Sequence, residues 1–175
     1  TGRYLDLLQR CGFNSLYRRP QDYGLTLCVG GGEVSLLELA GAYTAFPGLG
    51  LYRPPAILAS AAEPGGGQRV FSPGAAAAVL QALSTPDHLQ RSGVMPRGYY
   101  GPSLGYKTGT SFGLRDAWSV AFSSSWVVAV WIGDVRGRSH SSLVGAKAAL
   151  PLALPLCLEL SGGNLPGWPV TGELV

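Results

Sequence analysis

The sequence predicts an α+β fold in which an antiparallel sheet is covered by helices on both faces. Two adjacent segments, AWSVAFS (117–123) and WVVAVWIG (126–133), are rich in aromatic and β-branched residues and are joined through the serine run 123–125, a connection short enough for an antiparallel hairpin. In the first, Trp118, Val120 and Phe122 alternate with Ala117, Ser119 and Ala121, so one face carries small side chains on which a helix can pack closely. In the second, both faces are apolar, and a strand of that kind needs cover on both sides.

Taken in order, RYLDLLQRCGF (3–13) spaces Tyr4, Leu7, Leu8 and Cys11 along one helical face, with Gly12 as the stop. In CVGGGEVSLLELAGAYTAF (28–46), Ser35 stands three residues before Glu38 as a capping box, and Leu36, Leu39, Ala40 and Tyr43 form an apolar stripe. The helix should end near Phe46. The glycine triplet lacks the Gly-Lys-Ser/Thr and GxGxxG patterns of phosphate loops. PPAILAS (54–60) reads as a strand returning through EPGGGQ (63–68) to RVF. Ser72 caps, and Pro73 opens, a helix over 73–83. Residues 86–105 show neither a period of 2 nor of 3.6 and read as a long loop. SLGYKTGTS is the strand next to the hairpin, with Phe112 to Arg115 as the turn. Residues 143–160 supply a last helix, bent at its prolines, and the final fifteen residues read as a linker or weakly ordered tail.

Composition limits what the chain can be. Its 175 residues, 46% of them hydrophobic, suffice for a core, and 26 glycines with 13 prolines stay below the range of low-complexity disorder. Charged residues make up 13%, against ~25% in an ordinary soluble domain, which implies that part of the surface is covered by another segment or partner. The chain opens on Thr1 and its only methionine is Met95, so it reads as a piece of a larger protein. A net charge of +3 with dispersed arginines marks no nucleic-acid surface. Cys11, Cys28 and Cys157 fit neither a metal nor a redox spacing and read as core thiols; no metal or cofactor is expected. Lys147, Pro151 and Pro155 interrupt the most apolar stretch and argue against a membrane span there.

Chemistry concentrates in YKTGTSFGLRDAW (106–118), which holds one of only two lysines. On an edge strand, Thr108 and Thr110 share one face and Lys107 and Gly109 the other. Two hydroxyls then point together toward a bound anion, Lys107 supplies positive charge, and Gly109 lets a substrate backbone lie close. A backbone N–H near Thr110 is available to a developing oxyanion. The rival is GPSLG (101–105), which matches the GxSxG nucleophile elbow, with Asp134 and His140 downstream. Its context is wrong: an elbow needs an apolar strand before the serine and a helix after it, and here MPRGYY precedes and a strand follows. His88 and His140 read as surface residues.

KTGTSFGLRDAWSVAF with WVVAVWIG resembles the third active-site motif and following hairpin of bifunctional, class A penicillin-binding proteins, most similar to the 1C type, and GGGEVSLLELAGAYTAF resembles the helix that precedes them. The likeness spans roughly residues 1 to 160, implying a C-terminal portion of a transpeptidase domain over 1–160 and a linker or tail over 161–175. It implies a penicillin-binding transpeptidase and serine β-lactamase-like fold, and a D,D-transpeptidase that cross-links peptidoglycan stem peptides through a serine acyl-enzyme and is acylated by β-lactams. By position, Lys107 is then the motif lysine supporting proton transfer, Thr108 and Thr110 hold the substrate carboxylate, and Gly109 keeps the strand open. The departure is large: no serine in the chain has a lysine three residues on, and neither asparagine completes Ser-x-Asn. The nucleophile, the second motif, the glycosyltransferase domain and an inner-membrane anchor are expected N-terminal to these residues, with the domain in the periplasm and this piece inactive alone. The competing readings are a non-catalytic module that binds peptide carboxylates and a hydrolase fragment using Ser103.

Overall fold

The computed structural model describes residues 1–58, 66–91, 93–94, 103–162, 165 and 167–168. Helix α1 (Gly2–Arg10) stops at Gly12, whose φ of +92° suits glycine and where a Cβ would run into the Tyr52 hydroxyl. Its buried side is set one residue round from the stripe expected: Leu5 and Cys11 are buried, Leu7 and Leu8 half-buried, and Tyr4 is exposed. A short helix α2 (Pro20–Tyr23) and a 3₁₀ turn (Gly24–Val29) lead through the glycine triplet to α3 (Leu36–Tyr43). The capping box forms as expected: Ser35 accepts from the Glu38 N–H, and Glu38 accepts from the Ser35 N–H. The Glu38 carboxylate also accepts from the Ser15 N–H at 2.8 Å and its hydroxyl at 2.6 Å, tying the loop after α1 to the start of α3.

The first hairpin lies earlier than the sequence predicts. Strand β1 (Leu51–Tyr52) pairs antiparallel with β2 (Gln68–Arg69), and 54–58 form no strand, because Pro54 and Pro55 have no N–H to give a ladder. The end of the expected strand and the start of the expected turn, within 59–65, lie outside the described residues. Helix α4 (Pro73–Leu83) starts where predicted, with the Ala75 N–H donating to Ser72. The region expected as loop from residue 86 opens instead with α5 (Pro86–Arg91), while 95–102 lie outside the described residues.

Strands β3 (Gly105–Thr110), β4 (Asp116–Phe122) and β5 (Val127–Gly133) form an antiparallel sheet in the order β3-β4-β5, as the sequence predicts. Helix α6 (Gly145–Ala148) and α7 (Leu150–Leu160) follow; Pro151 sits in the first turn of α7 and Pro155 inside it. No helix among the described residues is long and apolar enough to cross a membrane.

Both faces of the sheet carry helices. The small-residue face of β4 receives the C-terminal helices: Ala121 packs with Leu150, Ala153, Leu154 and Cys157 of α7, and Ala117 with Leu143 and Ala149. On the opposite face α3 packs on β4 and β5, with the Tyr43 and Phe122 rings 5.9 Å apart. Burial pushes the Tyr43 phenol up to about 12, so it stays neutral. A separate core under α1 and α3 gathers Leu5, Phe13, Leu16, Leu27, Ala45 and Tyr52.

Two single-residue expectations change. Cys11 and Cys157 are buried, but Cys28 is exposed, because the glycine-ended turn that carries it lies on the surface. His88 is no free surface group: its ring stacks on Tyr106 at 4.2 Å, its Nε2 lies 3.0 Å from the Tyr106 carbonyl, and its own carbonyl accepts from the Tyr106 hydroxyl. Within the stretch read as tail, Leu165 packs against the α7 core and the Trp168 indole N–H donates to Ser84. The expectation of surface awaiting cover has a counterpart in the outer stripe of α7, where Leu152, Leu156 and Leu160 are exposed four residues apart.

Ser119 is 1% exposed, and its hydroxyl has no hydrogen-bond partner among the described residues. Ser119→Ala removes that unpaired group without adding volume, and should raise stability by about 1 kcal/mol in urea denaturation. For Glu38, burial raises the carboxyl pKa, but the hydrogen bonds from Ser15 and Ser35 together outweigh it and hold the group below its ordinary value. A carboxyl depressed in the folded state stabilises above its unfolded pKa of about 4.3 and loses that contribution as pH falls. The stability gap between wild type and Glu38→Gln should therefore be widest near neutral pH and narrow below about pH 4, measured by the same titration.

Candidate functional site

Strand β3 pairs with β4 on one side only; among the described residues no strand occupies its other edge. The register sets Lys107 opposite Val120, Thr108 opposite Ser119, Gly109 opposite Trp118 and Thr110 opposite Ala117. Alternation therefore puts Lys107 and Gly109 on the α3 side of the sheet, above Val120, Trp118 and Trp131. They border a cleft of about 650 Å³ whose far wall is Gly32, Val34, Leu39 and Tyr43. Thr108 and Thr110 lie on the α6 side. The four candidate residues thus share one strand edge but not one face, as alternation predicts.

Each has a distinct setting. Lys107 is exposed, and its ammonium donates to the Thr108 carbonyl at 2.6 Å. Thr108 is half-buried. Thr110 is exposed, and its Oγ1 accepts from the Gly145 N–H at 3.0 Å. A Cβ added at Gly109 would meet only the Trp118 Cβ, at an ordinary 3.5 Å. The chain's own packing therefore does not require glycine at 109, in contrast to Gly105, where a Cβ would lie 2.6 Å from the Phe122 ring.

The end of the strand is held by a compact turn. The Ser111 N–H donates to the Asp116 carbonyl, while the Ser111 hydroxyl accepts from the N–H groups of Asp116 and Arg115. The Asp116 carboxylate accepts from the Trp131 indole at 2.9 Å, which steadies the aromatic floor of the cleft. Leu114 takes φ +54° in this turn, and its carbonyl accepts from the His140 N–H. Sequence reasoning missed Asp116, Trp131, Tyr43 and Gly145 as parts of the site. The alternation of Trp118, Val120 and Phe122 is the signal that could have revealed an aromatic floor beside the strand, but nothing in LVGAKAAL marked Gly145.

The rival serine site is not assembled. Ser103 is 2% exposed, and a strand rather than a helix follows it at Gly105. It precedes the Gly105/Phe122/Val127 end of the sheet, whereas Asp134 follows Gly133 at the other end and His140 bonds Leu114 there. With about 3.3 Å per strand residue, the two ends are roughly 20 Å apart.

No family model matches the chain. Among individual proteins it is 30% identical to penicillin-binding protein 1C of Escherichia coli (strain K12) over 128 residues, 73% of this chain and 16% of that protein. It is 31% identical to penicillin-binding protein 1F of Bacillus subtilis (strain 168) over 143 residues, 71% of this chain and 20% of that one. Against penicillin-binding protein 1A of Aquifex aeolicus (strain VF5) the identity is 28% over 168 residues, 85% of this chain and 22% of that one. The chain thus spans 16 to 22% of the length of these relatives, and the three identities do not favour the 1C type over 1A or 1F. The crystal structure of penicillin-binding protein 1A from Haemophilus influenzae superposes with a TM-score of 0.73, covering 98% of this chain and 32% of that one at 18% identity, which shows a common fold.

Because φ at 109 is not positive and space is open, Gly109→Ala should leave the melting temperature unchanged or raise it, by the equivalent of about 0.4–1 kcal/mol from the less flexible unfolded chain.

Proposed function

We propose that this chain, a homologue of penicillin-binding-protein transpeptidase domains, supplies the substrate-binding strand of a peptidoglycan D,D-transpeptidase. The observation that carries this reading is a strand edge that no further strand occupies among the described residues, beside a cleft, bearing one lysine, two hydroxyls and a glycine that the fold itself does not need. An extended peptide adds to such an edge through main-chain hydrogen bonds. Its terminal carboxylate takes hydrogen bonds from Thr108 and Thr110, Lys107 supplies charge and supports proton transfer, and the Thr110 N–H faces the developing oxyanion. Gly109 leaves room for the peptide backbone. The acyl-enzyme forms on a serine of a Ser-x-x-Lys motif that these 175 residues do not contain. On this reading the working domain is periplasmic, held at the inner membrane by an anchor in another part of the polypeptide, and β-lactams acylate the same serine.

Labelling, acylation kinetics and melting temperatures test it. The 175-residue chain alone should not be labelled by a fluorescent penicillin; a label mapped to any of its serines overturns the reading. In the complete polypeptide, Thr110→Val removes one hydrogen bond to a charged group, about 1.5–3 kcal/mol, so the second-order acylation rate constant should fall about ten- to a hundredfold. The same change leaves the Gly145 N–H unpaired, and the melting temperature should drop by the equivalent of about 1 kcal/mol. Gly109→Ala should slow acylation without loss of stability, and Ser103→Ala should leave the rate constant unchanged. Binding of carboxylate-ended peptides without any acylation of the complete polypeptide would favour a non-catalytic module instead.

A further inference from the structure

We infer that Gly145 is a positioning residue for the site, acting through the Thr110 hydroxyl; the inference rests on the assignment of Thr110 to the substrate carboxylate. A threonine hydroxyl has one hydrogen to donate and two lone pairs to accept with. The Gly145 N–H occupies one of those lone pairs at 3.0 Å, and no described residue accepts the Thr110 hydrogen. The hydroxyl is therefore held as an outward donor at an exposed position, and accepting one hydrogen bond strengthens its donation of the next. A ligand that brings only acceptors, as a carboxylate does, suits that state.

Gly145 reaches this position because it is glycine. A Cβ there would run into the Gly109 carbonyl oxygen and lie 2.6 Å from that of Trp118, so the backbone at 145 rests directly on β3 and β4. Its φ is not positive, so space and not conformational freedom sets the requirement. The segment that delivers it is tied at both ends: the His140 N–H donates to the Leu114 carbonyl in the turn after β3, and Leu143 is buried with Ala117 and Ala149. The segment after β5 thus sets the donor direction of a hydroxyl on the opposite edge strand.

Gly145→Ala would push the strand aside and slow every reaction of the site, so the informative change is a backbone ester at 145, made by incorporating glycolic acid, which removes the N–H and adds no volume. Acylation of the complete polypeptide is measured with benzylpenicillin and with its methyl ester, beside the melting temperature. The backbone ester should slow benzylpenicillin about two- to tenfold, the span of one neutral hydrogen bond, and change the methyl-ester rate by less than about twofold. It should add nothing in a Thr110→Val background, where the N–H has no hydroxyl to orient. If Thr110→Val itself slows the acid and the methyl ester equally, the carboxylate assignment fails. If Thr110→Val is selective for the acid but the backbone ester slows both substrates alike, or neither, the positioning role of Gly145 is overturned.

Discussion

The small side chains of Ala117, Ser119 and Ala121 let the C-terminal helices lie close against β4, and the placement of the β3 edge follows from that contact. With larger side chains in that row, α6 could not bring its first residue onto the carbonyls of Gly109 and Trp118, and the Gly145–Thr110 hydrogen bond would have no geometry to form in. The other face is built for the opposite purpose. Phe122 meets Tyr43, Trp118 and Trp131 make a tilted pair at 6.3 Å, and between them and the loop before α3 the packing stops short, leaving the cleft that Lys107 and Gly109 border.

Rigidity at the strand comes from polar groups satisfied locally. The Ser111 hydroxyl closes the turn after β3, Asp116 takes the Trp131 indole, and the capping box of α3 is shared with Ser15 through one carboxylate. These bonds hold the backbone at the end of the strand and the floor of the cleft. On the proposed reading, this order is in place before a ligand arrives and lowers the cost of binding. The same chain leaves Leu152, Leu156 and Leu160 exposed along one stripe of α7.

The sequence by itself determined the elements whose signals are local. The three strands and their hairpin order follow from alternation and β-branching in 105–133, the start of α4 from Ser72 and Pro73, and the start of α3 from the Ser35–Glu38 box. The split of Lys107 and Gly109 from Thr108 and Thr110 was equally legible, since strand geometry permits only two faces. Tertiary structure decided what no local pattern encodes. It placed Ser103 at the wrong end of the sheet from Asp134 and His140, moved the first hairpin to Leu51–Tyr52, and made a helix of Pro86–Arg91. It also brought Gly145, thirty-five positions from Thr110, onto the back of the same strand. A glycine whose necessity comes from two carbonyl oxygens of other strands carries no signal among its own neighbours, because the steric requirement exists only once the sheet has formed.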